Sequence, residues 1–208
     1  MKLALAGVGP WGRLLARKFQ EAGAEIAAYA RAGGPDVEGL GPRLTIEGLC
    51  DAPGMAGVIL ATPPDVTLRL ARRAAESGLA VLATKPLQLG AAIDLRAPFV
   101  VDYVRLWSPF YAQLKARAAG HEVRRIRVVC CGPGPFRSFS SLDDYGPHAL
   151  AFVHDLLGEH VPLVQVQATT VHPEERGGTM HVVRAVAGET WLDIEVGNAA
   201  VERCVRLE

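Results

Sequence analysis

The chain has 208 residues, half of them hydrophobic, enough to bury one large core or two smaller ones. Its 22 Lys and Arg balance 22 Asp and Glu, so no long-range field recruits nucleic acid or an anionic membrane surface. A small molecule is the expected partner.

Residues 2–6 form a short apolar run that reaches Gly7 too soon for a secretory leader, and nothing approaches the ~18 apolar residues of a membrane span. These two readings point to a cytoplasmic protein. The run reads as a strand, followed by the turn Gly7-Val8-Gly9-Pro10-Trp11-Gly12. Leu14, Leu15, Phe19 and Ala22 then recur at helical spacing until Gly23. A second strand over Glu25 to Tyr29 ends in the loop Ala30-Arg31-Ala32-Gly33-Gly34-Pro35, completing one βαβ unit. A short strand and helical turn are expected around Leu44 to Asp51. Gly57 to Thr62 is a buried-strand pattern stopped by Pro63-Pro64, Asp65 to Ser77 a helix stopped by Gly78, and Leu79 to Ala83 another strand halted by Thr84-Lys85-Pro86. Strands that are apolar runs, alternating with helices, predict a parallel sheet covered on both faces.

Past about residue 96 the pattern changes. Phe99 to Arg105 reads as a strand, Phe110 to Ala119 as a helix and Val123 to Cys131 as a long strand. A glycine- and proline-rich stretch, 132–135, leads through 138–144 to a helix predicted over Pro147 to Leu157, with proline at its first position and Gly158 past its end. Strands near 162–171, 179–187, 190–196 and 201–207 follow, the middle pair joined by a hairpin at Gly188-Glu189. The expected architecture is α/β: an N-terminal parallel-sheet domain over residues 1–97 and a smaller C-terminal α+β domain over 98–208, built on an open, mainly antiparallel sheet.

The glycines carry the first chemical signal. Gly7 turns the chain after the strand, Gly9 lets backbone approach a diphosphate, and Gly12 permits close packing of the helix. The helix end, with Pro10 and Trp11, offers free N–H groups and partial positive charge to phosphates. The second strand ends without the carboxylate that would accept a ribose 2′-hydroxyl; Arg31 stands nearby, and a guanidinium suits a 2′-phosphate, so NADP(H) is expected over NAD(H). Lys85 ends a parallel strand on the edge where open α/β sheets bind ligands, and its ammonium there stabilises charge developing on a substrate oxygen. Asp144 and His148, four apart at the predicted helix entry, have the profile of a positioned general acid/base. Tyr103, Arg105 and Trp107 alternate along a predicted strand and are candidate substrate contacts. Cys50, Cys130, Cys131 and Cys204 lack metal-ligand spacing and read as free thiols; no metal site is expected.

Ala61-Thr62-Pro63-Pro64, Thr84-Lys85-Pro86-Leu87 and Asp144-Tyr145-Gly146-Pro147-His148 follow the glycine turn in the order seen in the Gfo/Idh/MocA family of sugar and polyol oxidoreductases. The sequence resembles a short member of that family over residues 1–87 and, more thinly, about 100–158. The resemblance implies a Rossmann domain in which Thr62, Pro63, Lys85 and Pro86 join the glycine turn at the nicotinamide cofactor. It also implies that the Asp144–His148 pair faces the substrate and that the C-terminal sheet mediates homo-oligomer contacts. Thr84, Thr67 and Ala151 depart from it, standing where the family usually has glutamate, often histidine, and often a second aspartate. The expected function is hydride transfer between NAD(P) and a small carbonyl, alcohol or imine, the alternative being a catalytically idle nucleotide-binding sensor or assembly subunit.

Overall fold

The computed structural model describes residues 1–87, 97–134, 140–158, 162–172 and 178–208. The chain divides into two units, Met1–Asp102 and Tyr103–Glu208.

The first unit runs β1 (Lys2–Ala6), α1 (Pro10–Glu21), β2 (Glu25–Ala30), β3 (Gly57–Leu60), α2 (Pro64–Glu76), β4 (Ala80–Thr84) and β5 (Phe99–Asp102). The strands pair in parallel in the order β2-β1-β3-β4-β5. Parallel strands are joined by crossover helices that cover both faces of the sheet, so the inner strands bury side chains on both sides. Ala4, Ala6, Val58, Leu60, Val81 and Ala83 pack under Leu70, Ala71 and Ala74 of α2. The alternate residues Leu3, Leu5, Ile26 and Ile59 pack on the other face with Ala16 of α1. Each large apolar side chain so buried contributes roughly 1.5–3 kcal/mol. No helix among the described residues is long and apolar enough to cross a membrane.

The strand opening at Phe99, expected to begin the second domain and reach Arg105, instead closes the first sheet. It pairs with β4 from Val81↔Phe99 to Thr84↔Asp102 and stops there. Residues Val104–Trp107 form a 3-10 turn, held by Leu106 N–H to Tyr103 C=O at 2.9 Å and Ser108 N–H to Arg105 C=O at 3.2 Å. The backbone of β4 offers this segment a ladder on its free side, a long-range gain that no local pattern records.

The second unit runs α3 (Pro109–Ala118), β6 (Arg125–Pro133), α4 (Ser141–Leu157), β7 (Leu163–Val171), β8 (Met180–Ala187), β9 (Thr190–Gly197) and β10 (Ala199–Leu207). Its sheet has the order β10-β6-β9-β8-β7, parallel between β6 and β9 and antiparallel elsewhere. Gly188-Glu189 form the expected hairpin turn between β8 and β9. Helix α4 covers one face, setting Tyr145, Ala149, Phe152 and Val153 against Ile126, Val128, Cys130, Leu192, Ile194 and Val196. The opposite face carries Arg125, Asp193 and Trp191, the last 62% exposed.

Helix α4 corrects the reading that Pro147 opens it. Ser140 is its N-cap, accepting from the Asp143 N–H at 3.1 Å, and Pro147 lies inside. A proline in a helix interior costs ~3 kcal/mol. Burial of Tyr145 before it and of Phe152 and Val153 after it outweighs that, at roughly 1.5–3 kcal/mol per large side chain. The cap decides the start.

Candidate nucleotide-binding and catalytic site

The glycine turn is built by contact. Gly7 follows β1 with φ +87°, a conformation open to glycine, and donates its N–H to Ala30 C=O at 2.9 Å. A Cβ on Gly7 would lie 2.2 Å from the Ala61 carbonyl oxygen, and one on Gly12 would lie 1.9 Å from that of Gly7. Both positions must be glycine for β1, the turn and α1 to close up against the end of β3. Gly9 is different: no described atom lies within 4 Å of the place its Cβ would take. It is the N-cap of α1, and the first helical hydrogen bond is Arg13 N–H to Gly9 C=O at 3.0 Å. The amides of Trp11 and Gly12 precede that bond and point out of the helix end, where Pro10 to Arg13 carry no carboxylate. Open space, outward amides and an uncontested dipole fit a diphosphate.

β1 and β3 are neighbours whose following helices pack on opposite faces, so the strand order reverses between them. Open sheets bind ligands at such a point, beyond the carboxyl ends of the strands. The far wall is the turn Thr62-Pro63-Pro64. Thr67, wholly buried, pins it: its hydroxyl lies 2.9 Å from the Thr62 carbonyl oxygen and 2.8 Å from the Thr62 hydroxyl.

Arg31 stands at the end of β2, its Nη1 donating to Pro35 C=O at 2.8 Å. Arg43, which the sequence reading did not single out, joins it by donating to Gly34 C=O at 2.9 Å and Arg31 C=O at 3.3 Å. Asp36 lies 3.8 Å from Arg43 and accepts from the Tyr29 hydroxyl at 3.0 Å. Two guanidiniums thus brace one loop beside the candidate ribose position.

Lys85 and Pro86 follow β4 at the same sheet edge, joined by a cis peptide bond, with Lys85 half-buried and Thr84 buried. Asp102, also missed, ends β5 in register with Thr84 and accepts from the Trp11 indole N–H at 3.2 Å. Burial pushes its carboxyl up from the ordinary aspartate range, and the Trp11 hydrogen bond pulls partly back. An acid ending the apolar run Phe99-Val100-Val101 at a ligand-binding edge was a readable signal.

In the second unit Asp144 and His148 lie one turn apart on α4, 6% and 7% exposed. His148 meets Tyr103 edge-on, with ring centroids 6.5 Å apart and planes at 75°. Burial pushes the Tyr103 phenol up. Because α4 starts at Ser141, His148 sits two turns inside, where the helix-end dipole has largely decayed. Arg105 and Trp107 do not alternate with Tyr103 along a strand; they lie in the 3-10 turn, with Trp107 80% exposed. The structure brings Tyr103 to His148 and leaves Trp107 in solvent. Among the described residues no three His, Cys, Asp or Glu cluster as metal ligands.

No protein-family model matches the sequence, and a search of curated proteins gives no significant match. Solved structures do match. A Magnetospirillum magnetotacticum MS-1 protein assigned as an oxidoreductase superposes with a TM-score of 0.84 at 25% identity, over 100% of this chain and 73% of that one. UDP-N-acetylglucosamine 3-dehydrogenase from Acidithiobacillus ferrooxidans gives 0.82 at 18%, over 100% and 72%. Scyllo-inositol dehydrogenase from Lactobacillus casei, solved with NAD(H) and scyllo-inositol, gives 0.80 at 14%, over 100% and 72%. The structural neighbours are Gfo/Idh/MocA-type oxidoreductases, and this chain has their fold. The Gfo/Idh/MocA-type fold accounts for both sheets, including the open one of the second unit.

Proposed function

We propose that the chain is an NAD(P)-dependent oxidoreductase acting on a small carbonyl, alcohol or imine of sugar- or polyol-like character. The observation that carries this reading is the glycine turn: Gly7 and Gly12 are closed by backbone contact while Gly9 stays open at a helix N-terminus. The oxidoreductase neighbours support it. When bound, the nicotinamide supplies or accepts the hydride. The amides of Trp11 and Gly12 would hold the diphosphate, and Thr62, Pro63 and Pro86 would border the nicotinamide end of the cofactor. Lys85 donates to the substrate oxygen and stabilises its developing charge. His148 exchanges the proton, Asp144 orients His148, and Tyr103 with Arg105 contacts the substrate.

In this reading NADP(H) is preferred over NAD(H), because Arg31, with Arg43 beside it, suits a 2′-phosphate better than a hydroxyl. Val164, Val186 and Trp191 lie side by side across β7, β8 and β9 on the face away from α4, an apolar row that suits homo-oligomer contact. The idle-module reading draws support from Thr67, whose hydroxyl is committed to holding the Thr62 turn.

Fluorescence titration tests the cofactor: NADPH binds more tightly than NADH, and failure of both to bind overturns the reading. Lys85→Ala then lowers turnover on the order of a hundredfold or more while NADPH affinity stays within about twofold. Wild-type binding without oxidation or reduction across sugars, polyols and imines selects the idle module instead.

A further inference from the structure

The four cysteines play no part in the proposed chemistry, yet two of them are neighbours across strands. Cys131 on β6 stands directly opposite Cys204 on the edge strand β10. Directly opposed residues of an antiparallel pair have Cα atoms ~4.5–5.5 Å apart, and their side chains share a face. A disulfide needs ~4.4–6.8 Å between Cα atoms, a range that both kinds of opposed pair meet.

The shared face can be identified. Cys130 belongs to the core under α4, and alternation along β6 turns Cys131 the other way. Cys130 itself pairs with Val205 and is fully buried. Cys131 is buried, Cys204 is half-exposed, and their thiols are within hydrogen-bonding reach of each other.

We propose that Cys131 and Cys204 are a reversible dithiol–disulfide pair that fastens the last strand to the sheet, oxidised by small disulfides of the glutathione class. Cys204, the more accessible of the two, attacks one sulfur of the oxidant as thiolate; that S–S bond breaks, one glutathione leaves as thiolate, and a mixed disulfide remains on Cys204. Cys131 loses its proton to water and attacks the Cys204 sulfur, releasing the second glutathione. Two thiols are thereby oxidised and one glutathione disulfide is reduced to two thiols. Burial, chiefly, pushes the Cys131 thiol up, which slows the second step and makes Cys131 a poor leaving group once bonded, so the closed pair persists.

The test is oxidation of the full chain with glutathione disulfide, followed by thiol counting and intact mass. The four thiols should fall to two, with loss of two hydrogens, no retained glutathione, and full reversal by dithiothreitol. Closing so long a loop should raise Tm on the order of 5–10 °C. No trypsin site separates Cys130 from Cys131, so variants assign the bond. Cys130→Ser must still cross-link to Cys204, whereas Cys131→Ser and Cys204→Ser must not. Four surviving thiols, glutathione retained on Cys204, or a cross-link that persists in Cys131→Ser would each overturn the proposal.

Discussion

The Trp11 indole donates its N–H to the Asp102 carboxylate at 3.2 Å, joining the glycine turn after β1 to the end of β5. Strands β3 and β4 lie between them in the sheet, a width of three strand spacings, about 14 Å. The turn, the start of α1 and the indole together therefore cover that width, at the sheet edge where the redox end of a dinucleotide is expected, and the indole is held there by a residue 91 positions away.

Breaking this link should affect binding selectively. Asp102→Leu removes the acceptor and should weaken NADPH binding by about three- to tenfold. Affinity for 2′-phospho-ADP-ribose, which lacks the nicotinamide, should stay unchanged. Equal weakening of both ligands would show that Trp11 supports the turn and not the nicotinamide end.

The raised Asp102 carboxyl also has a sign in stability. Its folded form holds a proton more tightly than its unfolded form, so its contribution is present at low pH and lost as pH rises through the folded value. Asp102→Asn keeps an acceptor for Trp11 without the buried charge. It should raise the urea midpoint at pH 7, and the advantage should vanish near pH 4.

The three glycines should separate by role. Gly12→Ala forces a methyl within 1.9 Å of a carbonyl oxygen and should destabilise the first unit by more than ~3 kcal/mol, read as poor solubility or a large fall in Tm. Gly9→Ala meets open space and an ordinary φ of −65°, so Tm should hold within about 2 °C. NADPH affinity should nonetheless fall about tenfold, because the methyl occupies the diphosphate's approach.

His181 ties the start of α4 to β7 and β8. Its Nε2 lies 3.0 Å from the Ser141 hydroxyl and 3.2 Å from that of Thr179, and its Nδ1 lies 3.1 Å from that of Thr170. Burial and then His172 push it below the ordinary histidine value of 6.5, with Asp143 opposing. The unfolded chain therefore binds the extra proton first, and stability should be lost as pH falls below about 6.5. Urea midpoints between pH 7.5 and 5.5 should drop for the wild type and flatten in His181→Gln.

Tyr111 shows how the second unit secures α3. Its hydroxyl donates to Asp155 at 2.5 Å, Lys115 reaches the same oxygen at 2.8 Å, and its ring packs 4.9 Å from Phe152. Tyr111→Phe keeps the ring and leaves Asp155 its lysine, so the cost should be about 1 kcal/mol by chemical denaturation. A Tyr111→Ala loss no larger than that would show the ring contributes nothing.

Local signals determined much of this protein. The apolar runs Lys2–Ala6, Gly57–Leu60 and Ala80–Thr84 stop at glycine or proline and are parallel strands. Gly7, Gly9 and Gly12 mark the turn, and Gly188-Glu189 mark a hairpin, because backbone freedom and missing N–H groups act within a few residues of their place in the chain. Only the tertiary structure decided that Phe99 adds to the first sheet, that Asp102 meets Trp11 and that Cys131 faces Cys204. Those outcomes depend on which strand edge is free and which register buries the most surface, energies set between segments tens of residues apart that leave no local periodicity to read.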